Sequence, residues 1–113
     1  MDAGAIDEVD EDGLANIDVS SVALCDAASR GDTAALRLIK EAGGDVNLGD
    51  YDRRTALHLA ASDGLLAVAK FLIDELNADH SPLDRWKATP LDDAKRQQHP
   101  EMVSYVMAAH DLP

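Results

Sequence analysis

The stretch Asp50-Tyr51-Asp52-Arg53-Arg54-Thr55-Ala56-Leu57-His58-Leu59-Ala60-Ala61-Ser62-Asp63-Gly64 decides the fold. Thr55 is placed to start a helix, because its hydroxyl can accept from backbone N–H groups that the first helical turn leaves unpaired. Leu57, Ala60 and Ala61 follow at the three- and four-residue spacing that lines one helical face. The two alanines are small enough for a neighbouring helix to approach closely. Gly64 then interrupts the helix. The reading is a short, capped helix with a thin buried face, which needs neighbours on both sides.

The same phrase recurs up and down the chain. Val22-Ala23-Leu24, Thr55-Ala56-Leu57 and Thr89-Pro90-Leu91 align, the first pair 33 residues apart and the second 34. Periods near 33 mark stacked helix pairs. Thr89 repeats the capping position, and Pro90 falls where a first helical residue needs no N–H. Outer helices are expected to bury Leu36, Leu38 and Ile39 in the first unit and Val68, Phe71, Leu72 and Ile73 in the second. Gly43 is placed to end the first of these in a left-handed conformation, and Asn77 takes that part in the second after one inserted residue. A last helix carries Met102, Val103, Tyr105 and Val106, either capping the stack or offering a sticky end to a second copy. Leu57 and Leu91 are both expected in the core, where truncation costs about 2–5 kcal/mol.

The run from Asp50 to Gly64 resembles the ankyrin pattern D-x-x-G-x-T-P-L-H-L-A-A-x-x-G. Gly31 to Asn47 resembles the second half of that unit, and Asp84 to Ala94 begins a further one. The resemblance covers about residues 18–110 and implies an all-α, ankyrin-repeat solenoid of about three stacked helix-turn-helix units. Its repeats run over about 18–50, 51–84 and 85–110, with 111–113 as the end. Ser20, Arg53 and Lys87 stand where the pattern has glycine, a place that often requires positive φ. The wording is similar to the C-terminal ankyrin segment of eukaryotic glutaminases, and to ankyrin segments of plant kinases and plant potassium channels. The Ser-x-x-Lys pair used by glutaminases is missing, since none of the six serines has lysine three residues later.

Composition narrows the function. With 46% hydrophobic residues but only four aromatics, the core has to be aliphatic and small. A net charge of −12 repels phosphate backbones and anionic lipid, so nucleic acid and membrane are poor partners. No apolar run reaches the roughly 20 residues needed to cross a bilayer. Residues 1–17 read as an acidic, disordered N-terminal tail, unlike a secretory or mitochondrial leader. Within it Asp7-Glu8-Val9-Asp10 resembles a caspase cleavage sequence, although a solvating tail is the simpler reading. Cys25 stands alone, so a reducing compartment is expected: the cytoplasm, with the nucleus as the alternative.

Catalytic and metal readings find little support. His58 is the residue most easily mistaken for a catalyst, but in the ankyrin pattern it bonds backbone in the neighbouring turn. Cys25 occupies the corresponding first-repeat position and reads as a packed thiol. His80, His99 and His110 lack metal-ligand spacing with one another or with Cys25. Asp92 and Asp93 are adjacent on a helix and diverge by about 100°. No enzyme activity, cofactor or metal is expected.

Protein–protein interaction is the function class that remains, through the turn tips and the exposed face of the inner helices. The candidates are Tyr51, Arg53 and Arg54 on one tip and Arg85, Trp86 and Lys87 on the next. Ser62, Asp63, Arg96 and Gln97 join them on the inner helices. Trp, Tyr and Arg dominate binding hot spots because they combine large rigid area with a polar handle. Arg53, Arg54, Arg85 and Lys87 also form a basic stripe on an acidic protein. It suits an acidic partner segment, the chain's own Asp7–Asp12 included; self-association is the other expectation. The alternative function is a regulatory or assembly segment of a larger enzyme, such as a glutaminase or kinase.

Overall fold

In the computed structural model, residues 16–110 are described, and among them there is no strand. Among the described residues six helices form in chain order: α1 (Ser21–Ser29), α2 (Thr33–Glu41), α3 (Ala56–Asp63), α4 (Leu66–Lys70, continuing as a π-helical turn over Phe71–Glu75), α5 (Pro90–Arg96) and α6 (Pro100–His110). The inner helices α1, α3 and α5 pack side by side, and each leads through a tight turn into its outer partner. The acidic segment Asp7–Asp12 and its caspase-like phrase lie outside the described residues. Ile17, read from sequence as the end of the tail, is partly buried against the core.

The helices α1, α2, α3 and α5 start where the hydroxyl of Ser20, the carboxylate of Asp32 and the hydroxyls of Thr55 and Thr89 cap them, whereas α4 starts at Leu65 without a side-chain cap. Thr55 accepts from His58 N–H and Thr89 from Asp92 N–H, while the side chains of His58 and Asp92 accept in return from the N–H groups of Thr55 and Thr89. Pro90 is the first residue of α5, as the sequence requires. The first repeat has Val22 in the threonine's place. The cap there moves back two residues to Ser20, whose hydroxyl accepts from Ala23 N–H, and α1 begins earlier. Gly64 ends α3 at φ 72°, and a Cβ on it would lie 2.7 Å from the His99 ring.

The extra residue between the second and third repeats is absorbed inside an outer helix. Leu76 N–H donates to Phe71 O at 3.2 Å, five residues back, so the helix widens by one residue instead of lengthening its loop. Asn77 then reverses the chain at φ 58°, as Gly43 does at φ 96° in the first repeat.

Leu24, Leu36, Leu57, Leu72, Leu76, Met102 and Val106 fill the core between the alanine faces of the inner helices. Three expected core residues are not fully inside: Phe71, partly buried with the Arg37 guanidinium over its ring, Leu38 and Leu91. Leu38 is 43% exposed and Leu91 is half-buried, because these two lie at the ends of the stack where no further repeat covers them. Leu38 borders a groove of 420 Å³ with Ile17, Val22 and Ile39. Leu91 borders one of 350 Å³ with Leu83 and Val106. In the last helix Met102 and Val106 are buried, whereas Met107 stays 46% exposed.

Polar contacts tie the outer helices together. Arg37 stacks 5.0 Å from the Phe71 ring and pairs with Glu75 at 3.4 Å, and Lys40 Nζ donates to Leu76 O at 3.1 Å. Lys70 lies 5.7 Å from the Tyr105 ring. The Tyr105 hydroxyl donates to Asp74 at 2.7 Å; burial and then the Asp74 carboxylate push its pKa well above the usual phenol value.

Candidate partner-binding surface

Two successive turns are built to one plan. Asp50 Oδ1 accepts from the N–H groups of Asp52 (2.8 Å) and Arg54 (3.0 Å), and Asp84 Oδ1 from those of Trp86 (2.9 Å) and Ala88 (2.8 Å). Backbone bonds Asp50 N–H to Arg54 O and Asp84 N–H to Ala88 O, each 3.0 Å, close the turns. Closure forces the fourth residue of each turn to positive φ: 62° at Arg53 and 64° at Lys87. The two tips are also joined, Arg85 N–H donating to Asp52 O at 2.8 Å. Ser20, the third residue at this register, has φ −71° because it serves as a helix cap instead.

These tips hold large side chains in solvent. Tyr51 is 91% exposed and Trp86 64%. The Arg85 guanidinium lies between them, 5.8 Å from the Tyr51 ring and 6.0 Å from the Trp86 ring, and its Nη1 pairs with Asp52 at 3.3 Å. The cluster therefore spans both tips, with Arg53 and Lys87 exposed beside it.

Residues 24–112 match the family of ankyrin repeats, in three copies. The chain belongs to the ankyrin-repeat family. It is 45% identical over 86 residues to the potassium channel KOR1 of Oryza sativa subsp. japonica, which covers 76% of this chain and 10% of that protein. It is 44% identical over 85 residues to the mitochondrial liver isoform of glutaminase from Mus musculus, covering 75% and 14%. Serine/threonine-protein kinase 12 of Arabidopsis thaliana is 43% identical over 88 residues, covering 78% and 18%. The chain thus spans less than a fifth of the length of each of these relatives. Ankyrin repeats are protein-interaction modules and typically non-catalytic.

Within the ankyrin stack Arg54 is not a tip cation. Its side chain is only 18% exposed and turns inward, Nη1 pairing with Asp84 at 2.7 Å and Nη2 with Asp93 at 2.7 Å. Both carboxylates are buried, and Asp93 also pairs with Arg96. Burial opposes the charge on Asp84. The Ala88 and Trp86 N–H groups and the Arg54 guanidinium outweigh it, so its pKa falls below the ordinary value. The same two carboxylates overcome burial at Arg54 and raise its pKa. The basic stripe on the tips is therefore Arg53, Arg85 and Lys87.

The inner-helix candidates lie apart from the tips. Ser62 and Asp63 end α3 and Arg96 ends α5, whereas the tips precede those helices, a separation of about 10 Å along the axis. Asp63, Arg96 and Gln97 are exposed; Ser62 is half-buried, and its carbonyl accepts from His99 Nε2 at 2.9 Å.

His58 has the structural part expected of it. Its Nδ1 accepts from Thr55 N–H at 3.0 Å, which leaves Nε2 to carry the hydrogen and donate to Ala88 O at 2.9 Å. Cys25 makes the weaker equivalent, Sγ to Arg54 O at 3.9 Å. Burial, then the Asp50 charge, raises its thiol pKa, which suits a packed group. Among the described residues no group of three or more His, Cys, Asp or Glu could hold a metal ion, and no helix is long and apolar enough to cross a membrane.

Sequence reasoning missed Asp84 and Asp93 as the partners of Arg54. Asp84 repeats the register of Asp50, a signal that was present. Asp93 stands where the second repeat has Leu59 and the first has the exposed Asp26, so its register carried no signal of burial.

Proposed function

We propose that this chain is a non-catalytic protein–protein interaction module that binds another protein through its second and third turn tips. The observation that carries the reading is the Tyr51–Arg85–Trp86 cluster, two exposed aromatic rings flanking one guanidinium. Exposed aromatic and arginine side chains on a rigid frame lose little entropy on binding, so more of the contact energy survives as affinity. Asp63, Arg96 and Gln97 would add a second, weaker contact line. A net charge of −12 disfavours nucleic acid and membrane as partners. A reducing compartment, the cytoplasm or the nucleus, suits a chain with one cysteine.

The test compares the intact chain with an Arg85→Ala, Trp86→Ala double variant. Immobilised side by side, the intact chain is expected to retain specific proteins that the variant loses. In light scattering, a dimer dissolved by the same changes would make the partner a second copy. Equal retention and equal mass for both proteins would remove the tips as the contact surface.

A second reading follows from the relatives. Matches confined to 10–18% of much longer proteins favour a regulatory or assembly segment serving a larger enzyme or channel. Its expected sign is that the retained partner carries a catalytic or channel domain.

A further inference from the structure

The two ends of the stack are the two sides of its own internal interface. Equivalent residues, 33 apart between the first two repeats and 34 apart between the last two, reveal which way each one faces. Ala23 and Ala35 are half-buried in the first repeat, whereas Ala56 and Val68 in the second, and Pro90 and Met102 in the third, are buried. Among the described residues only the first repeat has no preceding neighbour, so these positions look backward along the stack. Leu91 and Val103 are half-buried in the third repeat, whereas their equivalents Leu24 and Leu36, then Leu57 and Ala69, are buried. These positions look forward, and only the third repeat has no described follower. Repeats stack because each covers the apolar face its neighbour leaves open.

Both ends present grooves to solvent. The backward groove has Val22 and Leu38 on its border, and Val22 is 73% exposed. The forward end has one groove at Leu83 and Leu91 and a second, of 660 Å³, at Lys95 and Val103. Charge matches across the two ends as well. Asp26 borders the backward groove at the register of Asp93, the carboxylate that Arg54 of the preceding repeat holds. Asp26 pairs instead with Arg30 in solvent. On the forward end Lys95 is exposed where Ala28 and Ala61 are buried, which puts a cation on the face that would meet that acid. Such a match fixes orientation, and apolar burial supplies the affinity.

We propose that copies of this chain associate end to end, the forward face of α5 and α6 in one copy seating on the backward face of α1 and α2 in the next, as successive repeats do within the chain. The contact uses different surfaces on its two sides. Each pair therefore keeps one open end of each kind, and growth does not stop at two. The tips stay outside this contact, so a partner can still reach them.

Sedimentation of the intact chain over a dilution series tests this. The mean mass should climb with concentration past that of two chains. Leu38→Glu blocks the backward end and Leu83→Glu the forward end; both residues are largely in solvent, at 43% and 56% exposure, so the fold should tolerate the change. Each variant alone should stay monomeric. Mixed in equal amounts they should pair through their intact ends and double the mean mass, which a misfolded variant could not do. If Leu38→Glu loses its helical circular dichroism, Val22→Glu blocks the same groove. A monomer at every concentration, a plateau at two chains, or a mixture that stays monomeric would overturn the proposal. The Arg85→Ala, Trp86→Ala variant should associate as the intact chain does, and association that it abolishes would move the contact to the tips. Failure of end-to-end growth leaves the tips standing as a partner surface, because retention of other proteins is read separately.

Discussion

Arg54 of the second repeat reaches into the third and holds Asp93 at 2.7 Å, beneath a surface where the carboxylate is fully buried. A side chain that composition presents as a solvated tip cation is thus a clamp between repeats. Its second nitrogen pair takes Asp84, the residue that folds the next tip. The third turn tip and the repeat interface therefore share one guanidinium.

Removing that clamp should cost far more than removing a surface charge. Arg54→Ala leaves the buried Asp84 without a counter-charge and Asp93 with Arg96 alone, a loss of about 3–5 kcal/mol, against about 5–15 kcal/mol for a whole domain. Urea unfolding should show a much lower midpoint. Arg54→Lys, which keeps the charge but not the fork, should fall between. Midpoints unchanged in both variants would contradict the clamp.

Acid should act through the same pair. The folded pKa of Asp84 is depressed below its ordinary 3.8. Its contribution to stability is therefore complete above 3.8 and is lost as pH falls through the lower folded value. The unfolding free energy should decline as pH drops below 3.8. In Asp84→Asn the starting stability should be lower and that part of the decline absent. Denaturant titrations at several acidic pH values decide this.

The tips should be improvable at the expense of charge. Arg53 and Lys87 sit at φ 62° and 64°, where glycine escapes the crowding of Cβ against the following carbonyl. Arg53→Gly and Lys87→Gly should each stabilise the fold by about 0.5–1 kcal/mol. Calorimetry should show a higher Tm for the double variant, and a lower one would mean these turns carry no strain.

Gly64→Ala tests the opposite case. The new Cβ would combine positive φ with a 2.7 Å approach to the His99 ring, whose Nε2 holds the Ser62 carbonyl. A loss of about 1–3 kcal/mol is expected, together with faster amide exchange at the N-terminus of α6. Wild-type exchange there would show that the ring moves aside freely.

The parts of the site legible in sequence are those written in one local stretch. The Asp50 and Asp84 turns, the exposure of Tyr51 and Trp86, and the backbone bond of His58 all follow from a repeating phrase. Arg54 was misread because Arg53 and Arg54 are identical in sequence, and only the turn geometry sends one outward and the other in. Ser62 and Arg96 are candidates by register, yet helix length carries them about 10 Å from the tips.

The sequence by itself determined the repeat period, the helix caps at Thr55 and Thr89, the reversals at Gly43, Gly64 and Asn77, and hence the ankyrin stack. These depend on φ, hydroxyl placement and apolar spacing, all set within a few residues. Tertiary structure alone decided which charges are paired, since Arg54 and Asp93 are separated by 39 positions and meet only when two repeats stack. It also decided that Leu38 and Leu91 stay partly open, because burial depends on whether a neighbouring repeat covers that end. The π-helical turn at Phe71–Glu75 belongs with these: the inserted residue is visible in the spacing, but packing chose to widen the helix around it.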